Sequence, residues 1–250
     1  MAVNINQASR TKALWRVGIL LVIGLGAVVL VWESRLAYLR RTLADRSLLT
    51  DVPCAAPCWQ GIIPGITTPS QALEILENSS YVKQSSIRVG SRNGSGRATW
   101  YWSVPGFQGE NELTWEDNIV QDISLSIAYE LTLSEVIDRF GPPEALMADW
   151  CPLQQACFVV SLFYPRVGMA VGCSVDLGNP RIEPTTRIHS VSFYVPMSVE
   201  KRYAYVYRHG DSQTVEQILA HLRAITRPWR GYGGLFKVYY DSPTDLELGR

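Results

Sequence analysis

The segment VQDISLSI, residues 120–127, carries the clearest structural signal in the chain. Ile123, Leu125 and Ile127 alternate with polar residues, a period of two with one apolar side. That pattern marks an antiparallel strand with one face on a core and the other toward water. At an offset of 68, IHSVSFYV (residues 188–195) repeats the arrangement apolar-x-x-apolar-Ser-apolar-x-apolar. Each of these strands closes a longer series that begins with a helix signal.

The first series opens at Pro64-Gly65-Ile66-Thr67-Thr68-Pro69, a turn running into a helix start. Thr67 or Thr68 can cap the first turn, and Pro69 is tolerated there because its missing N–H would be unpaired anyway. Ala72, Leu73, Ile75 and Leu76 then form an apolar face up to Asn78. Strand-like pieces follow at 86–89 and 98–104, separated by a Gly/Ser/Asn-rich loop. The second series opens with a capped helix over 131–140, halted by Gly141-Pro142-Pro143. Its strands are expected at 157–164, 168–175 and 188–195. A further helix is expected over 212–225 and a closing strand over 235–240. The fold class predicted is therefore α+β, with helices packed on antiparallel sheet in two tandem repeat-like units, residues 53–130 and 131–210. Residues 211–250 supply a C-terminal helix and strand.

A second reading concerns the front of the chain. Residues 13–32, ALWRVGILLVIGLGAVVLVW, hold one charge, Arg16, with Trp15 and Trp32 near the two ends. Twenty helical residues span about 30 Å, the thickness of a bilayer's hydrocarbon core. The apolar run is long for a signal peptide, and Arg35 stands where a small residue would precede cleavage. Cys54 is too distant to be a lipid-anchor site. The expectation is a tail over 1–12, a transmembrane helix contacting membrane lipid over 13–32 and a stalk over 33–52. This places the protein in a bacterial cytoplasmic membrane with an extracytoplasmic domain.

The 23 basic and 23 acidic residues cancel, so no basic field exists to hold nucleic acid. The five cysteines include two close pairs, Cys54/Cys58 and Cys151/Cys157, which suit local disulfides in an oxidising compartment. Reduced thiols are the alternative; zinc would want C-x2-C spacing, which neither pair has. Cys173 is left as a buried thiol. No cofactor and no metal are implied.

Residues 131–143, LTLSEVIDRFGPP, resemble the helix signature of small bacterial outer-membrane assembly lipoproteins of the SmpA/OmlA type. Thr132, Val136, Gly141 and Pro143 fit that pattern, Phe140 stands for its Leu, and Gly65-Ile66-Thr67 is a fainter copy of its opening. Tandem use of such units is also similar to the beta-lactamase inhibitor protein, whose two repeats each put helices on a sheet. The resemblance implies an envelope-facing, non-enzymatic binding module. The chain departs from the lipoproteins in lacking a lipidation cysteine.

Catalytic signals are sparse. Neither H-E-x-x-H, G-x-S-x-G nor a phosphate-binding G-x4-G-K-[ST] string is present. His189 shares a strand face with Val191 and Phe193, which predicts a buried, hydrogen-bonded imidazole. The acids Glu110, Glu112, Glu116 and Asp117 gather around Trp115 and would suit either a solvated loop or the carboxylate pair of a glycan hydrolase. Trp100 and Trp102 fall on one strand face, as core or as a binding platform. Trp229 and Tyr232 sit on a glycine-rich loop, where flat rings serve sugar stacking or a protein-binding hot spot. The leading expectation is a single-pass membrane protein that binds another protein or an envelope component. A cell-wall glycan hydrolase and a structural accessory subunit of a membrane complex are the alternatives.

Overall fold

The computed structural model describes residues 22–36, 38, 45–151, 156–207 and 212–242. The chain divides into two units, Met1–Leu43 and Ala44–Arg250. In the first unit residues 22–36 are helical. Among the described residues no helix is long and apolar enough to cross a membrane. Residues 13–21 of the expected anchor lie outside the described residues. The single-pass anchor, its lipid contact over 13–32 and the cytoplasmic-membrane assignment built on them are therefore withdrawn. Of the expected stalk, residues 47–50 form a short helix, α1 (Ser47–Thr50), ended by Asp51 in a left-handed conformation.

The second unit corrects the two-unit fold. Its strands form one antiparallel sheet of nine strands, with only a few helices against it. They are β1 (Arg88–Arg92), β2 (Ser95–Tyr101), β3 (Glu110–Glu116), β4 (Ile119–Ser126), β5 (Ala145–Trp150), β6 (Cys157–Tyr164), β7 (Met169–Asp176), β9 (Ile188–Tyr194) and β10 (Thr226–Pro228). The spatial order is β1-β2-β3-β4-β9-β7-β6-β5-β10. A small pairing of β8 (Arg181–Ile182) with β11 (Gly233–Gly234) stands apart. The two halves merge because β4 and β9 pair edge to edge, with Ser124 opposite Ser192. Neither half closes a sheet of its own.

Cross-strand rows define two faces. The row Ala98, Leu113, Ile123, Phe193, Met169 and Tyr164 runs along the packed face. Helices α2 (Pro69–Asn78) and α3 (Leu133–Phe140) contribute buried Ala72, Leu76, Leu133 and Val136. Phe140 of α3 meets the Tyr164 ring edge-on, 6.2 Å between centroids. Both helices start with reciprocal capping boxes, Thr68 with Gln71 and Thr132 with Glu135. Thr67 is not the cap; its buried hydroxyl accepts the Ile63 N–H instead. Gly141 ends α3 at φ 78°, a conformation that glycine adopts without a Cβ clash.

The other face differs in its two halves. Over β5 and β6 it is covered by α4 (Val199–Tyr207) and α5 (Ser212–Ile225). Tyr203 packs edge-on against Phe163 and donates to Met147 Sδ. Among the described residues the same face over β1 to β4 stays open. Two further expectations are corrected here. The expected closing strand over 235–240 is instead a turn of helix, α6 (Leu235–Val238). It folds back so that Leu235, Tyr239 and Tyr240 are buried. The acids of 110–117 lie mostly on β3, a sheet-interior strand, with Asp117 in the turn that follows.

Both close cysteine pairs are disulfide-bonded, Cys54–Cys58 and Cys151–Cys157, and Cys173 is a buried free thiol. The first bridge immediately precedes Trp59, which is 2% exposed and stacks on Trp100 at 5.6 Å. Trp102 meets it edge-on at 5.7 Å, and the Trp59 indole N–H donates to Asp45. Because the ring joins three elements distant in sequence, Trp59→Ala should cost about 3–5 kcal/mol of stability. Urea unfolding checks the magnitude, and loss of the near-ultraviolet dichroism of the stacked indoles checks the cause.

Candidate functional site

The open half-face of the sheet forms a groove of about 720 Å³. Its floor follows from strand alternation. Residues paired across strands share a face, so Arg97, Thr114, Asp122 and Tyr194 form one row and Thr99, Glu112, Ser124 and Ser192 the next. Helix α4 supplies the wall through Arg202, Tyr205 and Val206, and the rim on the far side is Gly90 to Arg92 of β1.

The best-built feature of the groove is the Asp122–Arg202 ion pair, whose side chains are only 12% and 13% exposed. The Arg202 guanidinium also lies 4.5 Å from the Tyr194 ring centroid, and Tyr194 donates to the Met169 carbonyl. Ser124 donates to Asp122 Oδ1 at 3.1 Å. Its single proton being so used, Ser124 accepts from Ser192 across the 3.0 Å contact between their hydroxyls. Burial raises the Asp122 carboxyl above its ordinary range, while Arg202 and the Ser124 hydrogen bond pull it down. A charge so placed is tolerated because its partner and hydroxyl donor are already in position.

Glu112 is the second carboxylate of the floor, on a residue diagonal to Asp122 with backbone positions about 7 Å apart by strand geometry. Burial raises it first, Arg97 opposes that, and the Asp122 and Glu110 carboxylates push it further up. The Arg97–Glu112 contact is loose, 3.7 Å between well-exposed groups, so it contributes little. Trp115, 5% exposed, completes the lining beside Gly96, where a Cβ would meet the Gly90 carbonyl and the indole.

The residues singled out in the sequence fall in several places. Trp100 and Trp102 are brought together, but in the core, at 0% and 5% exposure. Trp229 and Tyr232 also meet, 5.8 Å between centroids, just past β10 at the other end of the sheet. Trp229 leans on Tyr239 as well, whose hydroxyl donates to the Gly231 carbonyl. Tyr232 is 40% exposed. The disulfides border no part of the groove. His189 is exposed at a bulge where β7 and β9 shift register, not buried as alternation implied. Arg202 and the whole of α4 escaped sequence reasoning. The one available clue was Asp122, a carboxylate beside Ile123 in an otherwise uncharged strand.

Among the described residues no cluster of His, Cys, Asp and Glu could hold a metal ion. Among the described residues lining the groove there is no histidine. Its hydroxyls, paired charges and flanking Val206 and Trp115 suit recognition of an extended polar ligand. Comparison with protein-family models, curated proteins and solved structures finds no match, so the site is read from its chemistry.

Arg202→Met should leave the buried Asp122 carboxylate without its counter-charge and cost about 3 kcal/mol near neutral pH. In that variant the Asp122 carboxyl would be raised further in the folded state. The variant therefore loses stability as pH rises through the folded value, and its deficit shrinks on acidification. Urea titrations at about pH 7 and about pH 4.5 would show the convergence.

Proposed function

We propose that this chain is a binding protein that holds a protein partner in the groove between the open face of β1–β4 and helix α4. The observation that carries this reading is a polar, partly buried sheet face left uncovered while the same face over β5 and β6 is closed by helices. A sheet of this size with one half-face open, lined by prepositioned charges and hydroxyls, supplies a rigid surface with little ordering cost on binding. The two disulfides fit a protein of an oxidising compartment. No catalytic role is assigned to any residue.

One observation favours a second, hydrolytic reading: Glu112 and Asp122 are two carboxyls raised by burial on one groove floor. They stand one diagonal step apart on neighbouring strands, and a pair of carboxyls is what a glycan hydrolase uses. The immobilisation of Asp122 by Arg202 and Ser124 favours binding over this alternative. Glycan hydrolysis abolished by Glu112→Gln would reverse that preference.

A photo-crosslinking residue at Arg97, in the groove, should give a discrete protein adduct in the native cells. The same residue at Glu77, exposed on α2, should give none. Equal capture from both positions, or none from either, would remove the binding reading.

A further inference from the structure

The two ends of the sheet are finished differently. At one end β10 has three residues including Pro228, which lacks the N–H needed to extend a ladder, and Trp229 turns back to donate to Glu144. At the other end β1 is a five-residue strand, exposed along its whole length, with no neighbour beyond it among the described residues. It is held straight by an Asn93-Gly94 hairpin turn, both residues at positive φ, and by an unbroken register with β2. One edge is closed and the other offers its backbone donors and acceptors.

The side chains of β1 state what they would accept. Arg88, Gly90 and Arg92 share the groove side with Arg97 and Thr99, whereas Val89 points to the packed side and is 52% exposed. Among the described residues neither Arg88 nor Arg92 has a carboxylate partner. The Arg88 guanidinium donates to the Ser85 and Ile87 carbonyls. At Gly90 a Cβ would meet nothing within 4 Å, so the groove face is open above the strand between the two arginines. The groove continues directly from this strand, through Gly90, Ser91 and Arg92.

Charged edge strands normally resist pairing. Here they resist one kind only. Two copies joined antiparallel about Gly90 would set Arg88 against Arg92 twice, a like-charge arrangement that is unfavourable. A strand with carboxylates at those positions turns the same contacts favourable.

We infer that β1 receives an extended segment of the partner protein as an added strand. Its carboxylates would alternate with apolar residues, the acids meeting Arg88 and Arg92 and an apolar side chain covering Val89. This mode supplies affinity through main-chain hydrogen bonds and selectivity through alternate side chains. It rests on the binding reading above and specifies how that partner is held.

The probe is a fluorescent peptide, Thr-Glu-Val-Glu-Val-Glu-Thr, blocked at both ends, with a control in which lysine replaces each glutamate. Polarisation titrations with the full chain should show binding of the glutamate peptide alone. Arg88→Glu/Arg92→Glu should weaken it by about tenfold or more, and added salt should weaken it too. Hydrogen exchange of the amides of residues 88–92 should slow on binding, which capture by side chains alone would not produce. Absence of binding at millimolar peptide, equal binding of the lysine peptide, or unchanged exchange in β1 would each overturn the inference. Self-association through β1 on ultracentrifugation would do the same. Adducts from Arg97 that survive Arg88→Glu/Arg92→Glu would sink strand addition while leaving the binding reading in place; loss of adducts in the parent chain would remove both.

Discussion

The pairing of β4 with β9 is the constraint from which the rest of this unit follows. In that antiparallel ladder Ser124 faces Ser192, with Ile123 against Phe193 and Leu125 against Val191 on one side. A slip of one residue would carry those apolar side chains to the wet face and bring Ser124 and Ser192 into the core. The register is therefore held by burial on one side and by the hydroxyl contact on the other. With it in place, the strands before β4 and those around β5 to β9 share one sheet and one core. Without it there would be two short sheets, each with a long unpaired edge beside its most apolar strand.

The two faces of that sheet have different fates, and the difference creates the groove. The packed face is continuous from Trp100 to Leu146, covered by α2, α3 and the Trp59 loop. The opposite face changes character along the sheet. Phe163 and Met147 call for a cover and receive Tyr203 from α4, whereas Glu112, Thr114 and Ser124 can remain in contact with water. Helix α4 lies at the boundary and is tied there by Arg202 to Asp122 and Tyr194. An ion pair this dry adds little net stability over an apolar contact of the same shape. Its consequence is positional, since it determines how far α4 extends over the sheet and so how wide the groove is.

Several features resisted sequence reading for identifiable reasons. The apolar run 13–32 meets a length criterion, yet among the described residues no helix is long and apolar enough to cross a membrane. The run 110–117 looked like an acidic loop because its glutamates dominate the composition. In the strand they occupy the wet positions, while Asn111, Leu113 and Trp115 carry the buried ones. Trp100 and Trp102 were legible as one-sided, but nothing local said that Trp59 would close over them. Residues 235–240 hold Leu235, Tyr239 and Tyr240, whose spacing suits a helical turn as well as a strand; short apolar runs do not discriminate between the two.

What the residues alone determined is local: the alternation in 120–127 and 188–195, the capped starts at Thr67 or Thr68 and at Thr132, the Gly141 stop and the two close cysteine pairs. These depend on side-chain period, backbone φ and short chain closure, all of which are properties of neighbouring residues. Tertiary structure alone decided that β4 meets β9, that the half-face over β1–β4 stays open and that β1 ends the sheet, with no described strand along its outer edge. Each of those depends on contacts between segments far apart in the chain, such as Asp122 with Arg202. Period along a strand says which residues share a face, but it does not say which strand lies alongside or what covers that face.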